Sequence, residues 1–192
     1  RLHVPAWGMG ASAGDFNADG FLDIYVACVG NSHLFENCGD GTFCSVTLPG
    51  DDINAPSMTM SSAIADINGD RLPDIVEVNY ADIRVVVSRK CQSAAGTVQP
   101  CSPTVFSAEA DYILINDGRG GFVAANAAWN LPIEGGRGLG VVVGNFDRIH
   151  GNDVYIANDM NANHYLVSEA DSSAIFNSKF KLSEQAALRG LA

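Results

Sequence analysis

Positive charge is scarce in this chain: 11 Lys and Arg stand against 22 Asp and Glu, a formal net charge of −11. A nucleic-acid partner, whose phosphates such a surface repels, is thereby excluded. Long apolar runs are missing as well. Although 47% of the residues are hydrophobic, no stretch approaches the ~18 uninterrupted apolar residues of a helical membrane span. Catalytic signatures are thin, with no Walker loop and no H-E-x-x-H, and no residue is assigned a catalytic role. Histidine numbers only four, and His33 and His164 fall at near-equivalent places ahead of a third strand in their units. A position that repeats in this way is read as structural.

What the chain does have is acid at regular spacing. "DFNADGFLD" places Asp15, Asn17, Asp19 and Asp23 at positions 1, 3, 5 and 9, with Phe21 at position 7 and Gly20 between. Unpaired carboxylates so close together repel one another, and a cation among them relieves this. Calcium takes oxygen ligands in a flexible shell, and side chains at 1, 3 and 5 with a backbone carbonyl at 7 are a common way to supply them. The alternative is an Asx-rich turn with no ion. "DINGDRLPD" repeats the pattern with Asp66, Asn68, Asp70, Leu72 and Asp74. "NFDRIHGND" offers Asn145, Asp147, Gly151 and Asp153, but Ile149 stands at position 5. The expectation is about two complete calcium sites and a degenerate third.

The flanks separate this pattern from helical calcium loops. An EF-hand needs a helix on each side, Gly at position 6 and Glu at position 12. The first loop has Val26 at position 12, and the second has Arg71 at position 6. Both run into strand-like segments, "FLDIYVACV" and "LPDIVEV". A β-hairpin loop remains.

The loops recur with their surroundings, starting at residues 15, 66 and 145. A spacing near fifty, stretched once, suits propeller blades. The stretch lies in a Ser-, Ala- and Pro-rich insertion over 88–111, which carries Arg89 and Lys90 and is either the most distinctive candidate for ligand binding or a tolerated surface insertion. After each loop come strand, turn and strand, as in "HLFENCGDGTF" and "YILINDGRGGF", so each unit offers four short strands. The expected fold is all-β, with blades of four antiparallel strands at about 7–50, 58–132 and 137–188. "RGLA" at 189–192 echoes "RGLG" at 137–140 as the start of a further repeat. About three blades of a longer propeller are expected, the rest coming from missing sequence or another chain.

Carried on "DFNADGFLDIYVA", "LFENCGDGTF" and "GNDVYIAND", the chain resembles the FG-GAP-like (VCBS) repeats of the cartilage acidic protein and ASPIC group, and more distantly the integrin α-subunit propeller. The resemblance implies a seven-bladed β-propeller with calcium between the first two strands of a blade, and a secreted or surface location. It implies a non-enzymatic adhesion or scaffold role toward a protein or glycan ligand. Some polysaccharide lyases use calcium-studded propellers, and that is the enzymatic rival. Of the five cysteines, Cys38 and Cys44 flank a turn, Cys91 and Cys101 bracket the insertion, and Cys28 lies within a strand. Two bridges and one buried thiol are expected, which requires an oxidising, extracellular or periplasmic setting.

Overall fold

The computed structural model describes residues 3–48, 57–126, 135–149, 151–170 and 178–182. The echo at 189–192 and the repeat ends at 50, 132 and 188 lie outside the described residues. The first blade is formed by β1 (Trp7–Gly14), β2 (Asp23–Gly30), β3 (His33–Asn37) and β4 (Phe43–Val46). The second begins with β5 (Ser57–Ala65) and β6 (Asp74–Asn79). It then leaves the sheet through helix α1 (Ile83–Ser88), the two-residue strands β7 (Cys91–Gln92) and β8 (Val98–Gln99), and a 3-10 turn at Pro103–Val105. It returns as β9 (Tyr112–Asn116) and β10 (Phe122–Ala124). The third blade is β11 (Gly138–Gly144), β12 (Asp153–Asn158), β13 (His164–Ala170) and β14 (Ser178–Leu182).

Within every blade the strands pair antiparallel in chain order. The chain is thus all-β, built from four-stranded β-propeller blades. The third blade has its fourth strand although the sequence between β13 and β14 lacks the glycines found at that point in the other two. Each first strand carries a register shift at the same place, at Gly8/Gly10, Thr59/Ser61 and Gly138/Gly140. Such bulges sharpen the local twist of a strand. The first strands lie side by side, β1 against β5 and β5 against β11. The approach is close enough that a Cβ on Gly14 would meet Ile64 Cγ2 at 2.4 Å.

Two cores fill the gaps between blades. Phe16, Tyr25, Leu34 and Leu48 of the first blade meet Ile75, Leu114 and Phe122 of the second. Ile67, Val76, Val78 and Ile113 of the second meet Val154, Ile156 and Leu166 of the third. β6 is buried at all six positions, its polar residues Asp74, Glu77 and Asn79 included, because it is covered on both faces. The sequence "IRVVVS" is rich in β-branched residues yet forms α1, which Asp82 starts by accepting the Arg84 N–H at 2.8 Å. The excursion out of the sheet therefore begins just after Asn79, earlier than the insertion read from sequence at 88. Cys38 is bonded to Cys44 and Cys91 to Cys101, and Cys28 is a buried free thiol. Among the described residues no helix is long and apolar enough to cross a membrane.

Candidate metal centres

All three acidic loops join the first strand of a blade to its second, and their hydrogen bonds share one pattern that varies at position 1. At position 1, Asp15 accepts the N–H groups of Asp19 and Gly20 at 3.0 and 2.8 Å. Asp66 accepts those of Gly69 and Arg71 at 2.7 and 2.9 Å, and Asn145 that of Arg148 at 2.6 Å. At position 3, Asn17, Asn68 and Asp147 accept from the residue two places on, at 3.2, 3.0 and 2.8 Å. At position 5, Asp19 and Asp70 accept the N–H groups of Phe21 and Leu72, both at 2.8 Å. Ile149 has no side-chain oxygen with which to do so, and the third loop is incomplete at that point.

This winding forces position 4 into the left-handed region, with φ of 59° at Ala18, 83° at Gly69 and 64° at Arg148. Position 6 follows at Gly20 and Arg71, with φ of 91° and 74°. Non-glycine residues pay a steric cost there, so the loop geometry is held by its hydrogen bonds and not by glycine alone.

Position 9 behaves differently. Asp23, Asp74 and Asp153 are fully buried, whereas Asp15, Asn17 and Asp19 are exposed or half-buried. Each buried carboxylate accepts from the loop and from the third strand of its blade. Asp23 takes the N–H groups of Phe16 and Asn37 at 3.0 and 2.8 Å. Asp74 takes those of Ile67 and Asn116 at 2.8 and 2.9 Å. Asp153 takes those of Phe146 and Ser168, both at 2.9 Å. Burial pushes the Asp74 carboxyl up to about 7 against the pull of its backbone donors, and Asp70 nearby adds to the rise. Burial likewise raises Asp23, aided by Asp19 and Asp15.

The predicted ligands of each loop are therefore brought onto one turn, with position 9 beneath it and, in the second loop, Asn68 fully buried as well. Asp15, Asn17, Asp19 and the Phe21 carbonyl, like Asp66, Asn68, Asp70 and the Leu72 carbonyl, belong to the turn itself. Asp23 and Asp74 lie beneath it. Among the described residues no group of three or more His, Cys, Asp or Glu side chains converges as a metal cluster by itself. The donors are all oxygen, from carboxylate, amide and carbonyl, which is the set that suits a hard cation such as calcium. The carboxylate oxygens of Asp15, Asp19, Asp23, Asp66 and Asp70 accept one N–H apiece and keep lone pairs for an ion, whereas Asp74 Oδ2 accepts two, from Ile67 and Asn68. A cation would also offset the repulsion and burial that lift Asp23 and Asp74. On these grounds the first two loops fit calcium, and the third, with Ile149 in place of an anion, fits it poorly.

Sequence reasoning missed the third-strand partners. Asn116 Nδ2 donates to the Phe16 carbonyl of the first blade's loop at 2.7 Å and to the Pro73 carbonyl at 3.1 Å. Asn152 Nδ2 donates to the Asp66 carbonyl at 2.8 Å, so the second blade's loop is held by the third blade. Asn17 Nδ2 reaches Glu36 Oε1 at 3.0 Å. The signal in sequence is that Asn37 and Asn116 each precede the glycine-rich turn of their hairpin.

His33 and His164 open β3 and β13, and His164 Nδ1 lies 3.7 Å from Asp111 Oδ2. The string Gly10-Ala11-Ser12-Ala13-Gly14 matches the G-x-S-x-G pattern, which as a nucleophile elbow needs a sharp strand-to-helix turn. Here it lies inside β1, and Ser12 Oγ is 2.9 Å from Ser62 Oγ on β5. It is a strand contact between blades.

Comparison with known proteins agrees with this architecture over part of the chain. Residues 15–77 match the family model of the FG-GAP-like repeat, a stretch running from the first loop of the first blade into the second strand of the second. No curated protein matches the chain. The blades and the repeat together define a β-propeller-type module.

Proposed function

We propose that this chain is a calcium-binding FG-GAP/VCBS module of the cartilage acidic protein and ASPIC kind, secreted, periplasmic or at the cell surface. In this reading it performs no catalysis and serves adhesion or scaffolding toward a protein or glycan ligand. The observation that carries the reading is the duplicated acidic loop, wound alike in the first two blades around an all-oxygen donor set. Asp15, Asn17, Asp19, Asp23 and the Phe21 carbonyl would hold one ion, and Asp66, Asn68, Asp70, Asp74 and the Leu72 carbonyl the other. Calcium there supplies charge and a rigid coordination point, and no reaction.

The ion acts as a strut, because the loop it would gather is also held by the next blade. Asn116 and Asn152 each grip the preceding blade's loop by a main-chain carbonyl. Fixing the loop therefore fixes the seam between blades. Two disulfides support an oxidising location. Outside the cell, sites as weak as about 10⁻⁴ to 10⁻³ M remain filled.

Further blades, from sequence beyond this chain or from another chain, would cover the third blade's open face. Phe16 and Ile67 at loop position 2 are 3% and 0% exposed, but Phe146 is 49% exposed. Tyr25 and Val76 at position 11 are fully buried, but Tyr155 is 37% exposed. Val142 and Tyr165 complete the cleft.

Calorimetric titration of chelator-stripped protein tests the reading. The expected result is about two calcium ions bound, with magnesium competing weakly. Absence of calcium binding would leave the loops as Asx turns and overturn it.

A further inference from the structure

The excursion between β6 and β9 is ordered without burying a core of its own. Asp82 starts α1, yet none of the helix residues is buried. The Cys91–Cys101 bridge closes the β7–β8 hairpin. The base of the excursion is pinned to two blades. Tyr80 OH donates to Asp159 Oδ2 of the third blade at 2.8 Å. Arg137 Nη1, just ahead of β11, donates to the Phe106 carbonyl at 2.9 Å. Glu109 N donates to the Tyr80 carbonyl at 3.3 Å, Ala81 bridges Ala108, and Ser57 Oγ donates to Glu109 Oε2 at 2.6 Å. The platform is held rigid at its root and open at its tip.

Its surface is unlike the rest of the molecule. From Ile83 to Ala108 there are three cations, Arg84, Arg89 and Lys90, and no Asp or Glu, in a chain of net charge −11. Arg84 is engaged by Asp82 at 2.6 Å, while Arg89 and Lys90 are exposed and their side chains make no hydrogen bond or ion pair among the described residues. On the same excursion Val85, Val87, Val98 and Val105 are exposed, Val87 by 67% and Val98 by 71%. Exposed apolar side chains and unpaired cations on one ordered segment offer a partner both kinds of contact, and a preorganised segment gives up little entropy on binding.

We propose that this platform is a docking surface for an acidic peptide segment that also carries apolar side chains. The proposal rests on the reading of the chain as a binding module and names its partner class. Arg89 and Lys90 pair with the partner's carboxylates, and the valines cover its apolar residues. The acidic remainder of the chain repels the same partner and so directs it to this one place. A sulfated polysaccharide would use the cations and leave the valines bare, which makes the peptide the better match.

Binding of the full chain in calcium is measured with three immobilised probes: a random copolymer of glutamate and tyrosine, poly-glutamate, and heparin. The copolymer is expected to bind several-fold more tightly than either of the others. Arg89→Gln with Lys90→Gln is expected to weaken it roughly tenfold and to flatten its salt dependence. Val87→Ser with Val98→Ser is expected to weaken the copolymer but not heparin. Heparin bound as tightly as the copolymer, no binding to the copolymer, or binding indifferent to both variants would each overturn the proposal. A calcium-induced rise in melting temperature, measured on the same samples, shows whether the module reading survives such a failure.

Discussion

At the scale of single residues, the turn and the buried position 9 of each acidic loop have separable consequences. Asp19 and Asp70 sit on the outer turn and accept only loop N–H groups. Asp19→Ala or Asp70→Ala is expected to lower the melting temperature in calcium and to change it little in chelator. Asp74 is buried and joins loop to third strand. Asp74→Ala is expected to cost about 1–3 kcal/mol in both conditions, because it strands buried N–H groups whether or not an ion is present. Thermal melts of the variants with and without chelator check the contrast.

Glu77 supplies a further prediction. It is 4% exposed, and Tyr25 OH donates to its Oε1 at 2.5 Å across the seam between the first two blades. Burial raises its carboxyl above the ordinary 4.5, assisted by Glu109 and opposed by the hydroxyls of Tyr25 and Ser32. The folded state therefore holds the proton more tightly than the unfolded state does. Its stabilising contribution is complete below about 4.5 and is lost as pH rises through the folded value. Glu77→Gln keeps an acceptor for Tyr25 without the charge. Its stability relative to the parent chain is expected to increase with pH above about 4.5 in denaturant unfolding, and a difference independent of pH would refute this.

At the scale of elements, the strands and loops were legible because their signals are local. Alternation in "DIYVA" and "DIVEV", and Asx at every second place before Gly20, each act within a few residues. The insertion was legible only in part. Val85, Val86 and Val87 read as extended by propensity, but Asp82 caps a helix and no sheet edge takes the segment up. The partners of Asp23 and Asp74 were not legible, since Asn37 and Asn116 arrive 14 and 42 residues later in the chain. Their role depends on the blade having closed. The Cys91–Cys101 bridge belongs to this scale as well. Because Tyr80 and Arg137 hold the root of the excursion independently, Cys91→Ser with Cys101→Ser is expected to speed amide exchange over 83–106 while leaving the melting of the blades unchanged. Loss of protection in β6 and β9 would show instead that the bridge supports the blade.

At the scale of the whole molecule, three blades share their cores only across seams, and the seams are where the loops are gripped. Tightening a loop would therefore tighten two blades at once, which is how an ion bound there would act on the module beyond its own loop. Ligand linkage sets the size of the effect at about 2.7 kcal/mol per site at a hundredfold excess over Kd. For a chain of this length that amounts to roughly 5–10 °C per site. The most direct test is a thermal melt of this chain in calcium, in magnesium and in chelator, with metal analysis of each sample. A calcium-specific rise of that size, with about two ions bound, is the predicted result. Superimposable melts with no metal bound would contradict the account.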